Sequence, residues 1–234
     1  MKAFVTGANK GIGFAIAKHL GLAGWTILLG ARNEQRALKA IQELQDLGIS
    51  VAGWIEVELS DLQSIQKAID FVKTAHSDVS LLVNNAGIPG DMSQKSYATS
   101  MQHLKETMDV NFFGTYALSQ GLVETLASHS GRMVNITVPT EVSPYWHPLA
   151  YVASKAAQNT MTSIMAMEFS TDGIPVEVYA VHPGPTTTDL NGNMSLPGFH
   201  TADVVGQKVA ALLADGTNHH GEFIELYPIV DEGK

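Results

Sequence analysis

Cysteine is absent from the 234 residues. That excludes disulfides, thiolate metal sites and cysteine nucleophiles. Charged side chains are scarce at 16%, while apolar ones reach 45%. A chain of that make-up buries a full core rather than staying disordered. Positive charge is the scarcer sign, and the net charge is −9. This speaks against a nucleic-acid or anionic-membrane partner but leaves room for a small anion in a local pocket. No apolar run is long enough to span a membrane. Met1–Val5 leads straight into a strand and a glycine loop, so the expectation is a cytoplasmic chain without a signal peptide. His219-His220 lies in a polar stretch and reads as a solvated turn, and no metal site is expected.

What is present is an alternation of strands and helices. Strands are expected at Ala3–Thr6, Thr26–Gly30, Val51–Val57, Val79–Val83, Arg132–Val138, Val176–Val181 and Glu222–Leu226. Between them lie helices at Gly11–Ala23, Asn33–Leu47 and Asp61–Thr74, the last with Ser60 as its cap. A long helix covers about His103–Ser128, a second holds Tyr151 and ends near Gly173, and another spans Ala202–Leu213. Strands apolar on both faces belong in a parallel sheet covered by helices on either side. The fold class is α/β: a doubly wound, Rossmann-like parallel sheet of about seven strands, in one domain over residues 1–234. Thr186–His200 has no clear period and follows the sixth strand, so it reads as a mobile substrate lid.

The first strand runs into Thr6-Gly-Ala-Asn-Lys-Gly-Ile-Gly13 and then a helix. That order makes an anion site, because the first helical N–H groups are unpaired and the helix dipole favours negative charge. Gly7, Asn9, Lys10, Gly11, Ile12 and Gly13 are the candidates to hold a dinucleotide pyrophosphate. The second strand ends in Leu29-Gly-Ala-Arg-Asn33, where NAD sites commonly carry an acid. An arginine there pairs instead with a 2′-phosphate, so Arg32 and Lys10 favour NADP(H), with Asn33 beside them.

Tyr151 and Lys155 stand one helical turn apart and can face the same cleft. A hydride added to a carbonyl carbon leaves an oxygen that needs a proton. Tyr151 is the candidate donor, but an ordinary phenol has a pKa of about 10. An ammonium roughly 4 Å away at an effective dielectric near 20 is worth ~4 kcal/mol, enough to lower that by about three units. Lys155 is expected to supply this effect.

Taken together, these residues resemble the short-chain dehydrogenase/reductase family, nearest to its carbonyl reductases. The resemblance is carried by the glycine loop, Asn84-Asn-Ala-Gly87, Asn111 in Val-Asn-Phe-Phe-Gly-Thr115, Tyr151-x-x-x-Lys155 and Pro183-Gly184. Gly30-Ala-Arg-Asn33 and Glu58-Leu-Ser-Asp-Leu-Gln-Ser-Ile65 point to the carbonyl reductase branch. It implies that Glu58 and Leu59 flank the adenine, and that Asn85, Ala86 and Gly87 line the cofactor. Pro183, Gly184, Thr186 and Thr188 meet the nicotinamide end. Lys155 also binds the nicotinamide ribose, and Asn111 holds a water that relays protons to Lys155.

The family's serine lies thirteen residues before the tyrosine, and here that position is Val138. Valine donates no hydrogen bond, and losing one such donor lowers turnover by ~10²–10³. Thr137 is expected to point away. Thr140 is the better substitute and Ser143 a more distant one. Val138, Trp146 and Leu190 are candidate substrate contacts.

The implied function is an NADPH-dependent oxidoreductase for a small, mostly apolar ketone or aldehyde, or the matching alcohol. The alternative is a catalytically weak NADP(H)-binding sensor, suggested by Val138. A second apolar face on the two long helices, with Ala150, Ala153, Ala156 and Ala157 on one and Phe112, Leu118, Leu122 and Leu126 on the other, predicts a homodimer or homotetramer.

Overall fold

The computed structural model describes residues 1–142 and 146–227. Seven parallel strands form its sheet: β1 (Lys2–Thr6), β2 (Thr26–Ala31), β3 (Val51–Glu56), β4 (Val79–Asn84), β5 (Arg132–Ile136), β6 (Glu177–His182) and, after two short strands below, β9 (Phe223–Glu225). Their order across the sheet is β3-β2-β1-β4-β5-β6-β9. The expected fold class is therefore the observed one. The strands are apolar on both faces because both faces are covered. Helices α1 (Gly11–Leu22), α2 (Glu34–Asp46) and α7 (Ala202–Leu213) bury Ile16, Leu20, Leu44, Val205 and Val209 on one side. Helices α3 (Leu62–Ala75), α5 (Thr115–Ala127) and α6 (Leu149–Asp172) bury Ile65, Leu118, Leu122 and Met165 on the other.

The chain reverses its direction of travel across the sheet between β1 and β4, which are neighbours. A crevice opens at the carboxyl ends of strands at such a point, and ligands of doubly wound folds bind there. The glycine loop after β1 and the Asn-Asn-Ala-Gly turn after β4 both stand at this place. No described helix is long and apolar enough to cross a membrane.

Several expectations are corrected. The helix cap before α3 is Asp61, whose side chain accepts from the Gln63 N–H, and not Ser60. The helix expected over His103–Ser128 is broken: α4 (Met101–Met108) and α5 are joined by a π-helical turn at Asp109–Gly114. Periodicity does not reveal such a turn, because the side chains on either side keep a helical spacing. Leu118, Leu122 and Leu126 are fully buried against the sheet, so they do not form a second apolar face. Residues 186–200 are not without structure. Strand β7 (Thr186–Thr187) pairs with β8 (His200–Thr201), and a capping box between Thr188 and Asn191 closes a short helical turn between them.

The pair at 219–220 is not a solvated turn. His219 is buried, donating or accepting at 2.7 Å from Glu222 and at 3.0 Å from Asp215. Its backbone N–H donates to Glu177, which also pairs with Arg132 at 3.1 Å. His220 Nε2 meets the Ala166 carbonyl. Among the described residues no group of side chains fit to hold a metal is present. This cluster staples the segment after α7 to the starts of β5 and β6. Burial pulls the His219 imidazole down, but hydrogen bonds to Glu222 and Asp215 outweigh it and leave the group above its ordinary value.

A histidine raised in the folded state stabilises fully below its unfolded value of about 6.5, and that contribution is lost as pH rises through the folded value. His219→Gln is therefore expected to lower the melting temperature more near pH 6 than near pH 8. The gap at the acid end corresponds to about 1 kcal/mol, or roughly 2–4 °C for a chain of this size. Melting curves collected across this range check it; parallel curves for both proteins would show that the carboxylates do not hold an imidazolium.

Candidate active site

The glycine loop is shaped by close approach of backbone to backbone. A side chain on Gly13 would begin 2.5 Å from the Gly7 carbonyl oxygen, and Gly7 itself sits at φ +65°. Only glycine fits either position. The Ala8 N–H donates to the Gly30 carbonyl and ties the loop to β2. Lys10 stands at the N-cap of α1 without capping it, so the first N–H groups of the helix, around Gly11 and Ile12, face the crevice without a side-chain acceptor. These are the donors a pyrophosphate requires, and the loop therefore fits a dinucleotide.

The hydroxyl of Thr6 joins this loop to its neighbour. It accepts from the N–H groups of Asn85 (3.0 Å) and Ala86 (3.1 Å). The Asn85 side-chain amide donates back to the Thr6 carbonyl at 3.0 Å. A buried network continues inward. Asn84 donates to Ser119 and Asn135, each at 2.8 Å, and Asn135 donates to Thr162 at 2.8 Å. The turn after β4 is thus anchored to β5, α5 and α6 by satisfied polar groups rather than by packing alone.

The two cations expected at a 2′-phosphate are both held by carboxylates. Arg32, exposed, lies 3.6 Å from Glu58, and Lys10 lies 2.7 Å from Asp189. Glu58 also accepts from the backbone and hydroxyl of Ser60. Asn33 caps α2 by accepting from the Arg36 N–H at 2.9 Å, so its side chain has a structural duty that the sequence reading missed. Leu59 is buried, and Gly114 of the π turn rests directly on its backbone. At the far end of the crevice, Thr186 donates to the Gly184 carbonyl at 3.0 Å, and Pro183 is buried beside them. Thr188 lies over the glycine loop, its methyl 3.8 Å from where a side chain on Gly11 would begin. Leu190 is half-buried in the same turn.

Tyr151 and Lys155 lie on α6, 8% and 3% exposed. The lysine Nζ is 5.8 Å from the centre of the tyrosine ring. It donates to the Ile136 carbonyl and to Gln158 Oε1, each at 2.9 Å. Gly87 closes the site above it; a side chain there would begin 3.1 Å from Asn111 Oδ1. Trp146 packs edge-on against Tyr151, with ring centres 5.3 Å apart. Burial pushes the Tyr151 phenol up to about 12 and the Lys155 ammonium down to about 7. That corrects the expectation that Lys155 brings Tyr151 down. The donors of Lys155 go to Ile136 and Gln158, and a dry environment favours the neutral form of both groups.

Asn111 sits in the π turn. Its side chain accepts from the Ile88 N–H at 2.8 Å and donates to the Ile88 carbonyl at 2.9 Å and to Ser154 at 3.0 Å. Its backbone carbonyl accepts from Gln158 Nε2 at 2.6 Å. Gln158 was missed in the sequence. The available signal was its place one turn beyond Lys155 on the same helix face. Val138 is half-buried after β5, and its carbonyl accepts from Asn159 at 2.9 Å. Thr137 is buried, with its hydroxyl toward the Lys155 carbonyl at 3.4 Å. Thr140 is exposed in the following loop. Ser143 falls outside the described residues.

The sequence profile described as short chain dehydrogenase matches residues 1–196. The chain is 29% identical to a carbonyl reductase [NADPH] 1 of Bos taurus over 275 aligned positions, covering 97% of each chain. A solved alcohol dehydrogenase of the archaeon Thermococcus sibiricus, complexed with 5-hydroxy-NADP, superposes with a TM-score of 0.86 at 25% identity, covering 100% of this chain and 98% of that one. A 3-oxoacyl-[acyl-carrier protein] reductase of Brucella melitensis in complex with NAD superposes at 0.82 with 26% identity, covering 96% and 94%.

Proposed function

Because the chain belongs to the short-chain dehydrogenase family and is an oxidoreductase of that family, we propose that it moves a hydride between NADP(H) and a small, mostly apolar ketone or aldehyde, or the corresponding alcohol. The observation that carries this reading is the buried Tyr151–Lys155 pair beside a glycine loop fit for a dinucleotide. Bound NADP(H) supplies the hydride, or accepts it in the reverse direction. The N–H groups at the start of α1 receive the pyrophosphate, with Asn9 and Ile12 alongside. Arg32 and Lys10 hold the 2′-phosphate, exchanging their present carboxylate partners for it. Glu58 and Leu59 border the adenine; Asn85, Ala86, Gly87, Pro183, Gly184, Thr186 and Thr188 border the rest.

Tyr151 donates its proton to the carbonyl oxygen during reduction and recovers it during oxidation. Burial keeps the phenol protonated at neutral pH, so a proton is at hand, but a group as high as about 12 is a weak acid that releases it only as the carbonyl oxygen gains charge. Lys155 steadies the negative charge that Tyr151 acquires. Trp146, Val138 and Leu190 line the substrate side and limit water, with residues 186–200 as the lid. Thr140 is the proposed second donor to the carbonyl oxygen. The mixed cofactors of the related structures, 5-hydroxy-NADP in one and NAD in another, make the choice between them a question for this chain's own cations. The sensor alternative finds no support in these dehydrogenase and reductase relatives.

Assembly as a homodimer or homotetramer belongs to the same reading. Its support is not the leucines of α5 but Phe113 and Tyr116 near the start of α5 with Ile164 and Met167 on α6, all exposed. Burying exposed apolar side chains of this kind against a second copy is favourable. Light scattering at micromolar concentration should return at least a dimer mass; a monomer mass speaks against it.

Turnover is tested by following NADPH consumption across a panel of ketones and aldehydes. Tyr151→Phe is expected to lower it by at least ~10², since proton transfer contributes about that much, while Val138→Ser raises it about ten-fold by adding a donor. Unchanged turnover in Tyr151→Phe on a good substrate would remove the phenol from the mechanism.

Arg32→Ala should weaken NADPH binding by about ten-fold or more, since a charged hydrogen bond contributes ~1.5–3 kcal/mol. NADH binding should stay as it was. Fluorescence titration of both nucleotides decides this, and equal affinities in the unmodified protein would defeat the NADP(H) assignment.

A further inference from the structure

Gln158 has no part in the chemistry derived so far, yet it touches both Lys155 and Asn111. It is 1% exposed. Its Oε1 accepts from Lys155 Nζ at 2.9 Å, and its Nε2 donates to the Asn111 carbonyl at 2.6 Å. The orientation of the carboxamide is fixed by its neighbours. An ammonium only donates and a carbonyl only accepts, so the oxygen must face Lys155 and the nitrogen must face Asn111. Few residue types satisfy both ends at this length. Glutamate would set a second acceptor against the carbonyl, and methionine or leucine would satisfy neither end.

The bridge depends on a feature of the fold. The π turn at Asp109–Gly114 interrupts the regular helical ladder at Asn111 and allows its carbonyl to meet a group outside its own helix. Lys155 and Gln158 lie one turn apart on α6 and so face the same way. Ile136 and Gln158 take two of the three ammonium N–H groups, which leaves one for the cleft that Tyr151 borders. Among the described residues the other groups around the ammonium are neutral: Gly87 after β4, Asn111 of the π turn, and the Ile136 carbonyl of β5. The titratable side chain facing it is Tyr151.

We propose that Gln158 is a positioning residue for Lys155: its carboxamide spans the ammonium and the Asn111 carbonyl, aims the remaining N–H into the cleft, and governs when the lysine carries its charge. This rests on the reading of Tyr151 and Lys155 as the reacting pair. A carboxamide also exchanges protons far less readily than a water would, so the Asn111 side of Lys155 is closed to proton traffic. Protons must then reach the pair from the cleft.

The test uses the full chain in three forms: unmodified, Gln158→Met and Gln158→Glu. Isotope-labelled lysine NMR follows the Lys155 ε-methylene through a pH titration, its signal identified by its loss in Lys155→Met. Removing the acceptor disfavours the ammonium, so Gln158→Met should lower the Lys155 midpoint by about one unit, a ten-fold change in its protonation equilibrium. An introduced carboxylate favours the ammonium, so Gln158→Glu should raise the midpoint by at least about as much. In Gln158→Met, kcat should fall about ten-fold with little change in the KM for the carbonyl substrate, and the alkaline limb of the pH–rate profile should move down with the lysine.

Midpoints that coincide in all three proteins would show that Gln158 only fills space, and the proposal falls. If Gln158→Met loses its folded circular dichroism spectrum, the comparison of the unmodified protein with Gln158→Glu decides alone. Should no carbonyl compound be turned over, the functional reading fails, but the NMR midpoints still decide the role of Gln158.

Discussion

A buried lysine needs acceptors, and much of this site is arranged to supply them. Lys155 is nearly inaccessible, and among the described residues no carboxylate pairs with it. Taking a charge out of water without partners is expensive. The Ile136 carbonyl at the end of β5 and the Gln158 carboxamide meet that demand. Gln158 in turn needs the Asn111 carbonyl, which the π turn makes available. Asn111 then fixes Ile88 after β4 and Ser154 on α6. One ammonium thereby draws β4, β5, the π turn and α6 into a single polar assembly.

The cofactor side is governed by a different constraint, the closeness of two backbones. Gly7 and Gly13 leave no space for a side chain between the loop and the start of α1. The Thr6 hydroxyl locks that loop to the turn after β4 by accepting two N–H groups. The glycine loop and the turn after β4 are therefore parts of one frame rather than two segments that happen to adjoin. Residues 186–200, the proposed lid, are tied by the short β7–β8 pair and the exposed Lys10–Asp189 ion pair. Exposed pairs of that kind contribute little to stability, so exchanging one for a phosphate is not a large change.

The burial that defines the pair also sets its electrostatics. Both Tyr151 and Lys155 are pushed toward their neutral forms. A simple Coulomb argument from the spacing Tyr-x-x-x-Lys predicts the opposite for the tyrosine, because it takes the ammonium to be aimed at the phenol. The hydrogen bonds of Lys155 show that it is aimed largely at Ile136 and Gln158. Desolvation then outweighs attraction.

The alternation of apolar strands and amphipathic helices determined the fold class, since a strand apolar on both faces has few places to go but the middle of a parallel sheet. The glycine loop, the Asn-Asn-Ala-Gly turn and the Tyr–Lys spacing were equally legible, because each is a local pattern tied to a local geometry. What tertiary structure alone decided involves pairs of residues distant along the chain. The π turn hides within a helical period; the Gln158 bridge joins positions 47 residues apart. His219 becomes a buried staple only because Asp215, Glu222 and the starts of two strands converge on it. Leu118, Leu122 and Leu126 turn inward because α5 needs that face for the sheet, which leaves Phe113 and Tyr116 outside. Periodicity states that a helix has an apolar face; only packing states which neighbour that face meets.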